Sequence, residues 1–192
     1  MATTAALRHM LGHFATGVTV VTSRDREGRL RGLTANAFTS LSLDPPRVLV
    51  CVSTTSQSYP ALVGDGAVFA VNILSARQQW VAELFASKQV EKFHAVDFTY
   101  GALDVPLLGG SLGYLECRVV ERHRGGDHVL LIAAVEHFGV APPGEPLLFY
   151  RSTYATVAPL HPVTFVHSSS RRESPDLNLC PDHAYVDRSE RI

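Results

Sequence analysis

The sequence predicts a mainly β domain, a barrel or sandwich flanked by short helices rather than a parallel α/β sheet. Three observations carry that prediction. Short runs rich in Val, Leu, Ile and Thr recur between Gly, Pro and polar turns, while few stretches show helical spacing. From Ser40 to Asp44, Leu41 and Leu43 alternate with polar residues, the period of a half-buried strand, and Pro45-Pro46 then stop the ladder. The chain has 192 residues, enough for one domain with a full core, and its 46% hydrophobic and 18% charged residues describe an ordinary globular protein.

The elements follow in order. Leu7, Met10, Leu11 and Phe14 recur at three- and four-residue spacing, which predicts a helix over Thr4 to Phe14 ending before Gly17. Gly17 to Ser23 is a β-branched strand, and Arg24 to Gly28 a polar hairpin loop. One strand is expected from Leu30 to Leu43 and another from Arg47 to Ser53, the three forming an antiparallel meander. Ser56 or Ser58 caps a short helix with Pro60 in its first turn, ending near Gly64-Asp65-Gly66. After a strand from Ala67 to Leu74, Ser75 and Gln78 form a capping box. The helix it opens runs to about Ala86, with Trp80, Val81, Leu84 and Phe85 as its apolar face. A short helical stretch is expected over Val90 to Ala95, and a loop from Gly101 to Gly110. Leu112 to Val120 and His128 to Phe138 are strands around Arg124-Gly-Gly-Asp127, and a closing strand covers Leu147 to Tyr150 and Tyr154 to Val157. The domain is expected to occupy residues 1–161. Residues 162–192, with the unpatterned run from Ser168 to Pro175, read as an extended or partly disordered tail.

Composition excludes several classes. The net charge is -1, from 17 basic and 18 acidic residues with no basic stripe, so nucleic acid is not an expected partner. No apolar run approaches the ~20 residues of a bilayer span, and the N-terminus lacks the pattern of a secretory signal. Cys51, Cys117 and Cys180 show no close pairing, which suits reduced thiols in a cytoplasm and neither a disulfide framework nor a zinc site.

Three motifs mislead. Gly109-Gly110-Ser111-Leu112-Gly113 matches the nucleophile elbow of serine esterases, but that elbow needs a helix after the serine and here a strand follows. Gly64-Asp65-Gly66 begins like a dinucleotide fingerprint yet also leads into a strand. His9 and His13 lie one helical turn apart without an adjacent glutamate or a third ligand.

The most informative stretch is Gly32-Leu33-Thr34-Ala35-Asn36-Ala37-Phe38-Thr39-Ser40-Leu41-Ser42-Leu43-Asp44-Pro45-Pro46. Thr34, Asn36 and Ser40 offer hydroxyls and an amide, while Gly32, Ala35 and Ala37 are small enough to admit a flat ligand close to the backbone. The run resembles the flavin reductase-like domain family and its T-A-N-S-F-x-S-V-S-L-D-P-P sequence, with Ala37 in place of the usual Ser and Leu41 in place of Val. The resemblance covers residues 7 to 158. It implies a split β-barrel, FMN or FAD as the flavin, and NADH or NADPH as co-substrate. It also implies a homodimer with the flavin near the subunit interface, and a monooxygenase that receives the reduced flavin.

The resemblance assigns residues too. Thr34, Ala35, Asn36 and Ser40 would line one side of the flavin ring. Ser53, Thr54, Ser56 and Ser58 would meet its ribityl and phosphate groups, where hydroxyls and a helix N-terminus suit an anion. Lys92 and Phe93 fall in a segment that approaches the flavin in relatives. His128, in Gly126-Asp127-His128, would orient the nicotinamide, and Arg151 could meet a nucleotide phosphate. No catalytic side chain is expected, since hydride passes directly between bound cofactors. A flavin carrier or electron-transfer protein without turnover is the alternative, and a nicotinamide site at His128 would separate the two.

Overall fold

The computed structural model describes residues 3–158, and the expected tail lies outside them. Seven strands form the main antiparallel sheet: β2 (Thr19–Arg24), β3 (Leu30–Ala35), β4 (Phe38–Leu43), β5 (Pro46–Ser53), β6 (Val68–Ile73), β9 (Gly113–Gly125) and β10 (His128–Val140). Their order across the sheet is β3-β2-β6-β9-β10-β5-β4. The outer strands, β3 and β4, are consecutive in the chain and joined by Asn36 and Ala37 alone. Laid flat, seven strands would hold their outer members about 29 Å apart. The link from Ala35 to Phe38 reaches at most about 11 Å. The sheet therefore curls until its edges meet, which is a split barrel. Two hydrogen bonds tie the ends of the link to the strands beside them: Thr19 Oγ1 of β2 donates to the Ala35 carbonyl at 2.7 Å, and the Cys51 N–H of β5 to the Ala37 carbonyl at 2.9 Å.

Apolar side chains fill two cores. Val21, Val50, Val52, Phe69, Val71, Cys117 and Leu131 pack inside the barrel. Outside it, Val18, Val20, Leu74, Val81, Phe85 and Leu108 pack between the sheet and the helix α3 (Gln79–Ala86). Strand β2 alternates between the two, so Val20 and Val21 are both buried. The remaining helices are α1 (Thr4–Leu11), the single turn α2 (Tyr59–Leu62) and two 3-10 turns, Ala76–Gln78 and Lys92–Ala95. A second sheet joins β1 (Thr16–Gly17), β11 (Leu148–Tyr150) and β12 (Thr153–Ala155), and a third pairs β7 (Phe98–Tyr100) with β8 (Pro106–Leu108).

The structure departs from the sequence expectations in four places. The strand expected over Leu30 to Leu43 is two strands on opposite edges, because residues 35–37 turn the chain across the seam, so the expected meander is broken and β5 pairs with β4 and β10 instead. The expected closing strand is a hairpin that pairs with β1 and takes no part in barrel closure. The expected loop of residues 101–110 contains β8, whose Leu108 N–H donates to buried Asn72 at 2.8 Å. Trp80 is 52% exposed, and Val81, Ala82 and Phe85 carry the buried face of α3. The capping box at Ser75 and Gln78 is present and opens the turn that leads into α3.

Candidate functional site

Beside β3 the surface opens into a cleft of ≈ 530 Å³, within the size range of small-molecule sites. One wall is Gly32, Leu33 and Thr34 of β3; the others are the Ser53–Ser58 turn and the end of α3 with Phe85, Ser87 and Lys88. Two lysines and no carboxylate line it. Thr34 Oγ1 donates to the Ala82 carbonyl at 2.6 Å and clamps α3 against β3. A Cβ at residue 32 would lie 2.5 Å from Phe85 Cε1, so only glycine lets that ring pack against β3. Phe93 holds Phe85 from behind in an edge-to-face contact with ring centroids 5.2 Å apart.

The Ser53–Ser58 turn is built from its own hydroxyls. Ser53 Oγ and Thr55 Oγ1 lie 2.9 Å apart, and Ser56 Oγ accepts from the Ser58 N–H at 3.2 Å. Thr54 faces the other way: its N–H and its Oγ1 both donate to the Asp127 carbonyl, at 3.0 and 3.1 Å. That pins the turn to the β9–β10 hairpin. The helix that follows has only four residues, so hydroxyls and turn N–H groups, rather than a helix dipole, are what the turn offers an anion. His128 is the cross-strand partner of Ser53. Its Nδ1 lies 2.8 Å from Asp127 Oδ1, and this bond holds the Asp127 carboxyl below its ordinary range. With Nδ1–H donating to that carboxylate, a neutral imidazole presents Nε2 as an acceptor.

Of the residues singled out in the sequence, the cleft gathers Thr34, Ser53, Ser56, Ser58 and Lys92. Lys92 is buried, donates from Nζ to the Phe85 carbonyl at 2.8 Å, and has its pKa lowered by desolvation. The others lie elsewhere. Ala35 points into the barrel core and Phe93 into the outer core. Asn36 Nδ2 donates to Thr16 Oγ1 at 3.2 Å, and Ser40 is exposed on β4. Arg151 sits at positive φ in the β11–β12 turn, its N–H donating to the Gly12 carbonyl at 2.7 Å. Sequence reasoning missed Thr55, Gln57, Phe85, Ser87 and Lys88. Phe85 touches the cleft only from the core, where the sequence placed it, and nothing in a pattern of period shows that the residues after α3 fold back beside β3.

A larger cavity of ≈ 800 Å³ lies beside Tyr100, Gly101, Tyr114, Glu116 and His137. Its most buried polar group, the Glu116 carboxylate, already accepts from the Ala102 and Leu103 N–H groups at 3.1 and 2.7 Å. Ser111 precedes strand β9, so it forms no nucleophile elbow. Among the described residues no cluster of three potential metal ligands occurs, and no helix is long and apolar enough to cross a membrane.

Comparison with known proteins gives this geometry its context. The family described as "Flavin reductase like domain" matches residues 11–158. The reductase subunit HsaB of a flavin-dependent monooxygenase from Mycobacterium tuberculosis is 39% identical over 154 residues, covering 79% of this chain and 81% of that one. An NADH-dependent flavin reductase of a Rhodococcus species is 40% identical over 153 residues, covering 79% of this chain and 85% of its own. Among solved structures, an NADH:FAD oxidoreductase of Streptomyces globisporus, in complex with NAD and FAD fragments, superposes with a TM-score of 0.76 at 38% identity. It covers 81% of this chain and 93% of that chain.

Proposed function

The chain belongs to the flavin reductase-like domain family, and we propose that it carries out the reaction of its relatives, as an NAD(P)H:flavin oxidoreductase that supplies reduced flavin to a partner monooxygenase. The observation that carries the reading is the cleft itself, where a ring of hydroxyls and two lysines without a carboxylate meet on the β3 side of the barrel. That donor set fits a flat ring with a phosphate tail. Gly32 and Leu33 would border the apolar part of the ligand, and Ser53, Thr55, Ser56 and Lys88 would hold its phosphate. Thr34 and the backbone through Asn36 would border the ring where β3 crosses the seam. His128 Nε2 would accept a hydrogen bond from the nicotinamide carboxamide and fix its orientation. The bound flavin supplies the redox chemistry, taking a hydride from the nicotinamide.

A second copy of the chain is the expected partner at the exposed apolar surface. Leu41 and Leu43 on the outer strand β4, and Phe138 and Val140 on β10 beyond its pairing with β5, are exposed and would be covered in a homodimer. The free thiols Cys51 and Cys117 suit a cytoplasmic, reducing setting. Residues 1–161 are proposed as the working unit and residues 162–192 as a dispensable tail, since the family match ends at residue 158. A chain ending at residue 161 should melt and turn over like the full chain, and a lost dimer or a large drop in Tm would refute the tail's dispensability.

Anaerobic mixing of the protein with FMN or FAD and NADH or NADPH, followed at the flavin absorbance band, tests the function. Bleaching that depends on the protein is expected with at least one pair. Flavin binding without bleaching by either nicotinamide would instead identify a carrier.

A further inference from the structure

Helix α3 joins two concave surfaces. Its last residues line the cleft beside β3, and its first residues line a separate cavity of ≈ 470 Å³ that shares no residue with the cleft. That volume is within the range of small-molecule sites. Val81 and Leu108, both buried, give it an apolar lining. Trp80, the chain's one tryptophan, stands beside them 52% exposed. Tryptophan is highly buried on average, and an exposed indole at a cavity offers a flat face for stacking. Gly109 and Gly110 complete the wall and are held to the start of α3. Gln78 Nε2 donates to the Gly109 carbonyl at 2.9 Å, and Ser75 Oγ to the Gly110 carbonyl at 3.1 Å. The shape of the cavity is therefore set by the protein itself.

Arg77 supplies the charge. It is exposed on the cavity, and among the described residues it pairs with no carboxylate. It stands in the turn that leads into α3, where the helix macrodipole disfavours a cation, and no acidic residue shares that turn or the first turn of α3. Asp97 is the one carboxylate on the lining, against Arg77 and His94. A guanidinium fork beside an indole suits a planar ring that carries one carboxylate: the ring stacks on the indole and the fork takes both oxygens. Asp97 weighs against a second negative charge, so a phosphate suits the cavity less well. We propose that this cavity is a binding site for an aromatic carboxylate, held between Trp80 and Arg77 and independent of the flavin cleft.

Tryptophan fluorescence of the full chain without added flavin tests it, because Trp80 is the only reporter. Phenylacetate is titrated into wild type, Arg77→Gln and Ser56→Glu, with the neutral phenylacetamide as control. Wild type should show a saturable change in emission and bind the acid at least about tenfold more tightly than the amide, the effect of one charge-assisted pair. Arg77→Gln should weaken the acid to the level of the amide and keep wild-type flavin affinity. Ser56→Glu, which alters the flavin cleft, should bind the acid as wild type does. Trp80→Leu, read by calorimetry, should weaken acid and amide alike. Both Arg77 and Trp80 are exposed, and circular dichroism melting would confirm that each variant is folded, so a misfolded one leaves the other informative. No saturable binding by wild type, equal affinity for acid and amide, or an acid preference that survives Arg77→Gln would overturn the proposal. Acid binding lost in Ser56→Glu but kept in Arg77→Gln would move the acid to the flavin cleft and overturn it as well.

Discussion

Around Asn72 the buried polar atoms are answered by protein, whereas along the Ser53–Ser58 turn the hydroxyls of Ser53 and Thr55 meet each other at the surface and keep capacity to spare. Asn72 Nδ2 donates to the Val20 carbonyl and Thr22 Oγ1, its Oδ1 accepts from the Leu108 N–H, and Thr22 Oγ1 donates onward to the Pro106 carbonyl. Glu116 nearby accepts from two backbone N–H groups of the 101–105 loop. These groups tie β2, β6, β8 and β9 together and leave little capacity for a ligand. The turn beside β3 stands opposite two lysines with donors and lone pairs still to offer. Cavity size would pick the other region, since the Glu116 cavity is the larger at ≈ 800 Å³ against ≈ 530 Å³. The difference teaches that size alone does not mark a site: the polar groups of the larger cavity are spent on backbone, while the smaller cleft keeps solvent-facing hydroxyls beside Lys88.

Substitutions can break that division. Asn72→Ala strands the Leu108 N–H in the interior and removes three hydrogen bonds. It should cost about 2–4 kcal/mol and lower Tm by about 5–15 °C, while the folded fraction keeps its flavin affinity. A thermal melt with a parallel flavin titration would check both, and lost affinity without lost stability would erase the distinction.

Ala35→Leu sharpens the boundary between core and cleft. The Ala35 side chain points into the barrel core, although its strand borders the cleft. Three extra carbons should overpack that core by about 1–3 kcal/mol. The melt should therefore shift more than the affinity of the folded protein, and a reduced affinity at unchanged Tm would place the side chain against the ligand instead.

Cys117 extends the test to pH. Burial, with help from Glu116 and Glu136, pushes its thiol up from 9.0 to about 12. A raised folded-state pKa gives stability that is complete below the unfolded value and lost as pH rises through the folded one. The wild type should lose stability between pH 9 and 12 more steeply than Cys117→Ala, as measured by urea melts across that window. Parallel slopes would mean that the thiol ionises freely in the folded protein.

The smallest effect concerns His128. Removing one neutral orienting hydrogen bond is worth about 0.5–1.5 kcal/mol, a two- to twelve-fold slowing of flavin reduction. In stopped-flow traces of His128→Ala the slowing should appear at low nicotinamide concentration with flavin affinity intact. Rates equal to wild type at every concentration would reduce His128 to a turn residue.

Much of this was legible in the sequence because it rests on local chemistry. The alternation at Leu41 and Leu43, the Pro45-Pro46 stop and the Ser75–Gln78 capping box all act within a few residues. The Gly32-to-Pro46 run also carried the family, and with it the barrel. What the sequence hid depends on distant pairings. Residues 30–43 read as one strand because their pattern is nearly continuous, and only the seven-strand order reveals that Asn36 and Ala37 bridge opposite edges. Phe85 is the core residue its helix pattern predicts, but only the fold shows that Gly32 packs on its ring with no room for a Cβ. Phe93 reads as a ligand contact by resemblance, yet its ring packs between Phe85 and Phe98.

The central claim is that flavin occupies the smaller cleft on the β3 side and not the larger cavity beside Glu116. The most direct test is the flavin dissociation constant of two single variants, read by flavin fluorescence quenching. Ser56→Glu sets a carboxylate against the proposed phosphate position, and His137→Glu sets the same group in the larger cavity. Like charges about 4 Å apart near a protein surface repel by up to about 4 kcal/mol. Ser56→Glu should therefore weaken flavin binding by about a hundredfold, and His137→Glu should leave it within about twofold of wild type. Unchanged binding in Ser56→Glu, or a large loss in His137→Glu alone, would contradict the account.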